Sequence, residues 1–150
     1  ISSAKIGALF TFLALVTGAV WGKPMWGTWW VWDARLTSEL ILFFIYVSII
    51  FLYNSFDDYR KGAKAANILA IIGFVNIPII HFSVEWWNTL HQGPSVMKFS
   101  SPSIAYEMLY PLIFTSIGFT FYFITALLLS ARNTLIIREH KSSWVQSIKT

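Results

Sequence analysis

The chain alternates between long apolar segments and short polar connections. Four segments carry no charged side chain and approach the roughly 20 residues that a helix needs to cross a bilayer. They comprise residues 6–21, 40–56, 65–82 and 108–131. The first is the shortest, and we expect its helix to begin before Ile1. The pattern predicts an all-α polytopic membrane protein, one membrane domain over 1–150 with four transmembrane helices. Asn76 and Pro78 predict a kink near the end of the third span.

Composition supports a membrane protein. Of the 150 residues, 56% are hydrophobic and 12% are charged, against about 25% charged in soluble domains. Mean hydropathy is +0.60. The chain has no cysteine, which excludes disulfides and thiol catalysis. Motifs for phosphate binding, zinc proteolysis or a serine nucleophile are also missing, so we expect a protein that is not an enzyme. The chain starts at Ile1 without a charged leader, and we interpret it as processed or truncated rather than as carrying a signal peptide.

The positive charges predict the orientation of the spans. The net charge is +4, but the cations lie in loops and a tail, which indicates membrane topology and membrane lipid rather than a nucleic-acid partner. Eight of the eleven fall on one predicted side, at Lys5, Arg60, Lys61, Lys64, Arg132, Arg138, Lys141 and Lys149. Because cytoplasmic loops are enriched in Lys and Arg, we expect both termini inside. The loops 22–39 and 83–106 then face the same outer compartment.

The first outer loop is unusually rich in tryptophan. The run WGTWWVWDARLT, residues 26–37, places four indole rings within seven residues. An interfacial aromatic belt accounts for Trp21 and Trp26. It accounts poorly for the three rings that follow, at Trp29, Trp30 and Trp32. We therefore favour a platform for a flat apolar ligand over a belt.

Two charged residues end this run, Asp33 and Arg35. They form a pair that fixes the shape of the loop, or Arg35 instead holds an anionic group of a ligand, because a guanidinium binds carboxylates in bidentate fashion. Both interpretations stay open at the level of sequence. Glu39, at the start of the second span, is a possible anchor for the loop.

The second outer loop contains His91 within SVEWWNTLHQGPS, residues 83–95. A lone histidine is usually an ordinary surface or core residue. Here it follows Trp86 and Trp87 and faces the compartment of the first loop, and neutral imidazole is a common axial ligand of haem iron. An acceptor such as Asn88, Thr89 or a backbone carbonyl would fix its tautomer. Haem ligation and an ordinary histidine are equally supported by the residues alone.

The two other histidines are weaker candidates. His81 ends the third span, and we favour a polar cap at the interface over a cavity-facing residue. His140 lies in the basic inner tail, on the opposite side from the tryptophan loop, and we expect it to be solvated.

At these two loops the chain resembles a known family. WGTWWVWDARLT is similar to the signature of the tryptophan-rich WWD haem-handling membrane proteins, and WWNTLHQG resembles the second outer loop of their CcmC branch, haem exporter protein C. KIGALFTF, KPMWG and NIPII are similar to the same branch. The resemblance extends from Lys5 to about Gln92 and is weaker in the last span.

The resemblance implies a carrier for haem in cytochrome c maturation. Such proteins take up haem b transiently and non-covalently at the outer membrane face and pass it to the haem chaperone CcmE, beside CcmA, CcmB and CcmD. By this resemblance His91 is one of two axial histidines. The other cofactor-binding residues would be Trp26, Trp29, Trp30, Trp32, Asp33, Arg35, Trp86 and Trp87.

The chain departs from the family pattern upstream. The family has six spans and an axial histidine before the tryptophan loop, whereas this chain shows four spans and no histidine before His81. The first two spans and the first axial histidine lie outside this sequence or on a separate polypeptide, or the coordination of haem differs here. Alternatives to the carrier are a haem lyase of the same superfamily and a structural or assembly subunit with a degenerate site. The membrane is a bacterial inner membrane, with the site facing the periplasm, or a mitochondrial inner membrane, with the site facing the intermembrane space.

Overall fold

The computed structural model describes residues 1–93, 96 and 103–148, and these form helices and connections without a strand. Its helices fall into two compact units, the first four helices in one and the last two in the other. The bounds are α1 Ser2–Trp26, α2 Ala34–Asn54, α3 Tyr59–Phe74, α4 Asn76–Trp86, α5 Tyr106–Arg138 and α6 Ser143–Ile148. Four stretches are long and apolar enough to cross a membrane: α1, α2, α3 together with α4, and α5. The predicted all-α architecture with four spans is confirmed.

Most helix ends lie beyond the limits that hydropathy gave them, although α2 ends at Asn54, before residue 56. A glycine and an aspartate set the ends on either side of the first connection. α1 continues to Trp26, where Gly27 adopts a left-handed conformation with φ 76° and donates its N–H to the carbonyl of Lys23. The Nζ of Lys23 returns a hydrogen bond of 3.0 Å to the Gly27 carbonyl. Asp33 caps α2, so the first connection shortens from residues 22–39 to 27–33.

Helix α2 is the centre of the first unit and packs against α3 and α4. A small core joins Ala4, Ile49 and Ala66. Close approach depends on small residues: a Cβ added to Gly73 would lie 2.6 Å from Ile45 of α2. In lipid, where hydrophobic driving force between helices is weak, such small residues bring the backbones into contact.

The third span is broken at Val75, as Asn76 and Pro78 predicted. α3 ends at Phe74 and α4 starts at Asn76, and Pro78 has no N–H to donate to the carbonyl of Phe74. Asn76 is buried, and its Nδ2 donates to the carbonyl of Ser38 at 2.9 Å. The break in the third span is therefore fixed to α2 by a side-chain amide.

The second unit consists of a long helix and a short one. α5 has 33 residues and none of them is buried. At its end Glu139 accepts hydrogen bonds from Arg138 at 2.8 Å and from the indole N–H of Trp144 at 2.9 Å. These two donors hold the pKa of the Glu139 carboxyl below its usual value. The carboxylate thus stabilises the turn between α5 and α6.

We expect Asn76→Ala to lower the free energy of unfolding by about 1 kcal/mol, the range measured for hydrogen bonds between membrane helices. The substitution removes the donor to Ser38 and leaves that carbonyl without its extra partner. Denaturant unfolding in detergent micelles measures the change. Asn67→Ala, at an exposed position of the same span, is the matched control, and an equal loss in both variants would contradict this account.

Candidate ligand-binding site

The site is organised around the carboxylate of Asp33, which is 6% exposed. Its Oδ1 accepts a hydrogen bond of 2.8 Å from the backbone N–H of Leu36 and so caps α2. Its Oδ2 lies 3.1 Å from Nδ1 of His91, 58 residues later in the chain. One side chain therefore starts a helix and orients an imidazole.

The ring of His91 is held on two sides. Nδ1 faces Asp33, which leaves Nε2 as the nitrogen open to a ligand. The ring of Trp26 packs edge-on against the imidazole, with centroids 4.7 Å apart. Thr89, one of the expected partners of the ring, instead accepts from the backbone N–H of His91 at 3.3 Å. The group that orients the ring is thus Asp33, for which pairing with Arg35 was one of the two interpretations left open by the sequence.

A cavity of about 650 Å³ opens beside His91. Its walls are mainly apolar and aromatic, with a few polar side chains, which is the usual character of small-molecule sites. The lining residues are Trp21, Met25, Trp26, Arg35, His81, Val84, Leu90, His91, Gln92 and Val96. The end of α1, the start of α2 and the end of α4 thus meet around one concave surface.

Arg35 supplies the permanent positive charge of this cavity. Its Nη1 donates to the carbonyl of Ile80 at 3.3 Å, and no carboxylate forms an ion pair with it among the described residues. Glu39, one turn along α2, is near enough for electrostatic interaction with Arg35 but does not line the cavity. Arg35 therefore has further N–H donors for an anionic group.

The tryptophans divide into two groups. Trp21 and Trp26 line the cavity. Their rings pack edge-to-face, with centroids 5.3 Å apart. The other five tryptophans of the two predicted loops do not line the cavity: Trp29, Trp32, Trp86 and Trp87 are 50–76% exposed, and Trp30 packs against Trp32. Trp21, which the sequence assigned to an interfacial belt, is therefore a cavity residue.

The histidines also separate. His81 lines the same cavity as His91, where the sequence favoured an interfacial cap. His81 lies three residues before Val84, so both side chains lie on one face of α4. This i, i+3 spacing is the sequence feature that could have indicated a cavity-facing histidine. His140 is exposed in the second unit.

An α-helical integral membrane protein with an aromatic cavity and an oriented histidine is the class that these features define. The chain belongs to the CcmC family: the family described as "Heme exporter protein C" matches residues 1–146.

Named relatives agree with this membership. The chain is 60% identical over 148 residues to Heme exporter protein C of Haemophilus influenzae, covering 99% of the chain and 60% of that protein. The relative from Escherichia coli is 55% identical, with 97% and 58% covered. A ccmC-like mitochondrial protein of cytochrome c biosynthesis from Marchantia polymorpha is 56% identical, with 84% and 51% covered. The chain thus spans about 60% of the length of the first of these relatives.

We expect Asp33→Ala to lower the free energy of unfolding by about 1–2 kcal/mol, because it removes a helix cap and the partner of His91 together. Asp33→Asn keeps a capping oxygen and should cost less. Chemical denaturation of the purified protein in detergent measures both.

Asp58→Ala is the matched control, since Asp58 caps α3 through the N–H of Arg60 and is exposed. It removes a cap without a histidine partner. Equal losses for Asp33→Ala and Asp58→Ala would contradict a stabilising contact between Asp33 and His91.

Proposed function

We propose that this protein binds haem non-covalently in the cavity beside His91 and presents it to a haem chaperone during cytochrome c maturation. The observation that carries the proposal is the 3.1 Å contact between Asp33 Oδ2 and His91 Nδ1. A carboxylate on one ring nitrogen fixes the tautomer and raises the basicity of the other, which is the usual environment of an iron-ligating histidine. Membership of the heme exporter protein C family supports haem as the cargo.

The walls of the cavity suit a porphyrin. Its volume of about 650 Å³ lies within the range of roughly 300–1,000 Å³ for small-molecule sites. Trp21 and Trp26 provide apolar aromatic surface next to His91, and this surface would exclude water from the iron side of the ring. Arg35 provides the N–H donors for a propionate. Bound there, haem b would offer its iron to Nε2 of His91.

The exposed tryptophans would contact the parts of the macrocycle that extend beyond the cavity. Trp29 and Trp32 are 57% and 76% exposed, and Lys23 lies over the ring of Trp29 at 5.9 Å. Trp86 stacks on Phe82 at 5.2 Å and Trp87 packs against Trp86. Their exposure leaves these rings available to a ligand that reaches beyond the cavity.

Delivery rather than storage follows from the openness of this arrangement. His91 retains 23% exposure, so the ligand nitrogen stays accessible to an incoming partner. A carrier of this kind needs moderate affinity, because tight enclosure would oppose release. We propose that the protein that receives the haem is a CcmE-like chaperone. The neighbouring subunits would be CcmA-, CcmB- and CcmD-like proteins.

The second axial ligand of the iron is expected from outside this sequence. The relatives are longer, since the chain covers 60% and 58% of the first two, and the family pattern places an axial histidine upstream of the tryptophan loop. Two further spans carrying that histidine, on the same or a separate polypeptide, would complete the coordination. The membrane is a bacterial inner membrane or, as for the ccmC-like relative from Marchantia, a mitochondrial membrane.

We expect His91→Ala to abolish the Soret absorption of haem that co-purifies with the full-length protein in detergent, because the ring that would ligate iron is removed. His140→Ala, in the exposed turn after α5, should leave the spectrum unchanged. Haem retained in His91→Ala with the same spectrum would show that another side chain ligates the iron.

Asp33→Asn provides an intermediate case for the same measurement. It keeps the helix cap but loses the charge facing His91, and loss of such a partner typically lowers metal affinity about 10–100-fold.

The alternative function, a haem lyase, has a different readout. A thioether product formed when the protein is incubated with haem and apocytochrome would indicate a lyase rather than a carrier.

In the proposed orientation the haem site faces outside and the basic start of α3 faces inside. Both connections that form the site lie at one end of the first unit, since Asp33 and His91 are in contact. The first turns of α3 carry Arg60, Lys61 and Lys64, and cations of this kind remain in the cytoplasm or matrix.

Single introduced cysteines test this orientation without background, because the chain has no cysteine. In intact cells we expect a membrane-impermeant maleimide to label Gly93→Cys, where a new Cβ meets open space, and not Lys61→Cys. Permeabilised cells should label both positions. The reverse pattern in intact cells would place the site inside and contradict the orientation.

A further inference from the structure

The cavity contains a second histidine that the iron-binding proposal does not use. His81 lies in the wall with Arg35 and His91, and its ring contacts the edge of Phe82 with centroids 4.8 Å apart. No hydrogen bond holds either ring nitrogen of His81 among the described residues. An imidazole with available nitrogens in a cavity wall is a binding group of unassigned purpose.

Arg35 and His81 belong to the same part of this wall. The guanidinium of Arg35 donates to the carbonyl of Ile80, the residue directly before His81, at 3.3 Å. This bond holds the arginine at the start of α2 against the middle of α4. Apolar residues, among them Val84 and Leu90, line the same cavity.

The two groups have complementary chemistry. Arg35 is always charged and offers several N–H donors in a fixed plane, whereas imidazole offers one N–H when neutral and two when protonated. Together they match a ligand that carries two carboxylates at one edge of an apolar plate. The two propionates of haem are such a pair.

We propose that His81 and Arg35 together form the carboxylate-binding end of the cavity, so that His81 positions haem through a propionate and does not ligate the iron. This inference rests on the proposed function. It assigns the two cavity histidines to different parts of one ligand, His91 to the metal and His81 to the carboxylate edge. It also gives the bound ligand a defined direction, with its carboxylates toward His81 and Arg35.

Two probes that differ only in the carboxylates test the assignment: ferric haem and its dimethyl ester, titrated by Soret absorbance into the full-length protein in detergent. We expect His81→Ala to weaken haem binding by about five- to tenfold, the effect of one partly exposed charge-assisted hydrogen bond. Affinity for the diester should not change, because the diester has no carboxylate to lose. The position of the Soret band should also match the unsubstituted protein.

His81→Gln and His140→Ala complete the set. Glutamine keeps an N–H donor, so it should recover most of the preference for haem over the diester, and His140→Ala should leave both affinities unchanged. The proposal is overturned if His81→Ala and His81→Gln weaken both probes equally, if His81→Ala weakens neither, or if it shifts the Soret band as loss of an axial ligand would. Failure of the unsubstituted protein to bind haem would overturn the proposed function as well, whereas the other outcomes leave the role of His91 intact.

Discussion

The carboxylate of Asp33 joins the connection between α1 and α2 to the segment that follows α4. One oxygen completes the first turn of α2 through Leu36, and the other holds the imidazole of His91. Since the carboxylate is almost fully buried, both contacts form in a low-dielectric surrounding, where hydrogen bonds are stronger than in water. The same carboxylate therefore fixes both the start of α2 and the orientation of the imidazole that is the candidate iron ligand.

The broken third span makes this contact possible. Two bonds from side chains to carbonyls tie α4 to α2, from Asn76 to Ser38 and from Arg35 to Ile80. One lies at the break and the other in the middle of α4. Breaks in membrane helices are tolerated where they are buried in protein, and these two bonds help to position the segment that leads to His91. The cavity thus depends on packing between spans as much as on its own lining.

Hydropathy predicted the four spans because burial in lipid requires long apolar helices, and this requirement is local in sequence. The partner of Asp33 was not predictable in the same way. Proximity suggested Arg35, but residues at i and i+2 of a helix start do not face each other, and the actual partner is 58 residues away. Trp21 was assigned to a belt because nothing local distinguishes an interfacial indole from one that lines a cavity. Contacts that depend on the packing of distant helices cannot be derived from spacing along the chain.

The division of the tryptophans follows from the same geometry. Gly27 turns the chain sharply after α1, so Trp21 and Trp26 remain on the helix beside His91, while Trp29 and Trp32 project from the connection into solvent or the membrane interface. Exposing such large rings is unfavourable in water and is expected where another apolar surface covers them. Under the proposed function that surface is the part of the macrocycle beyond the cavity. On that proposal the aromatic wall formed by Trp21 and Trp26 would hold one part of a flat ligand, and the exposed rings would leave another part available to a receiver.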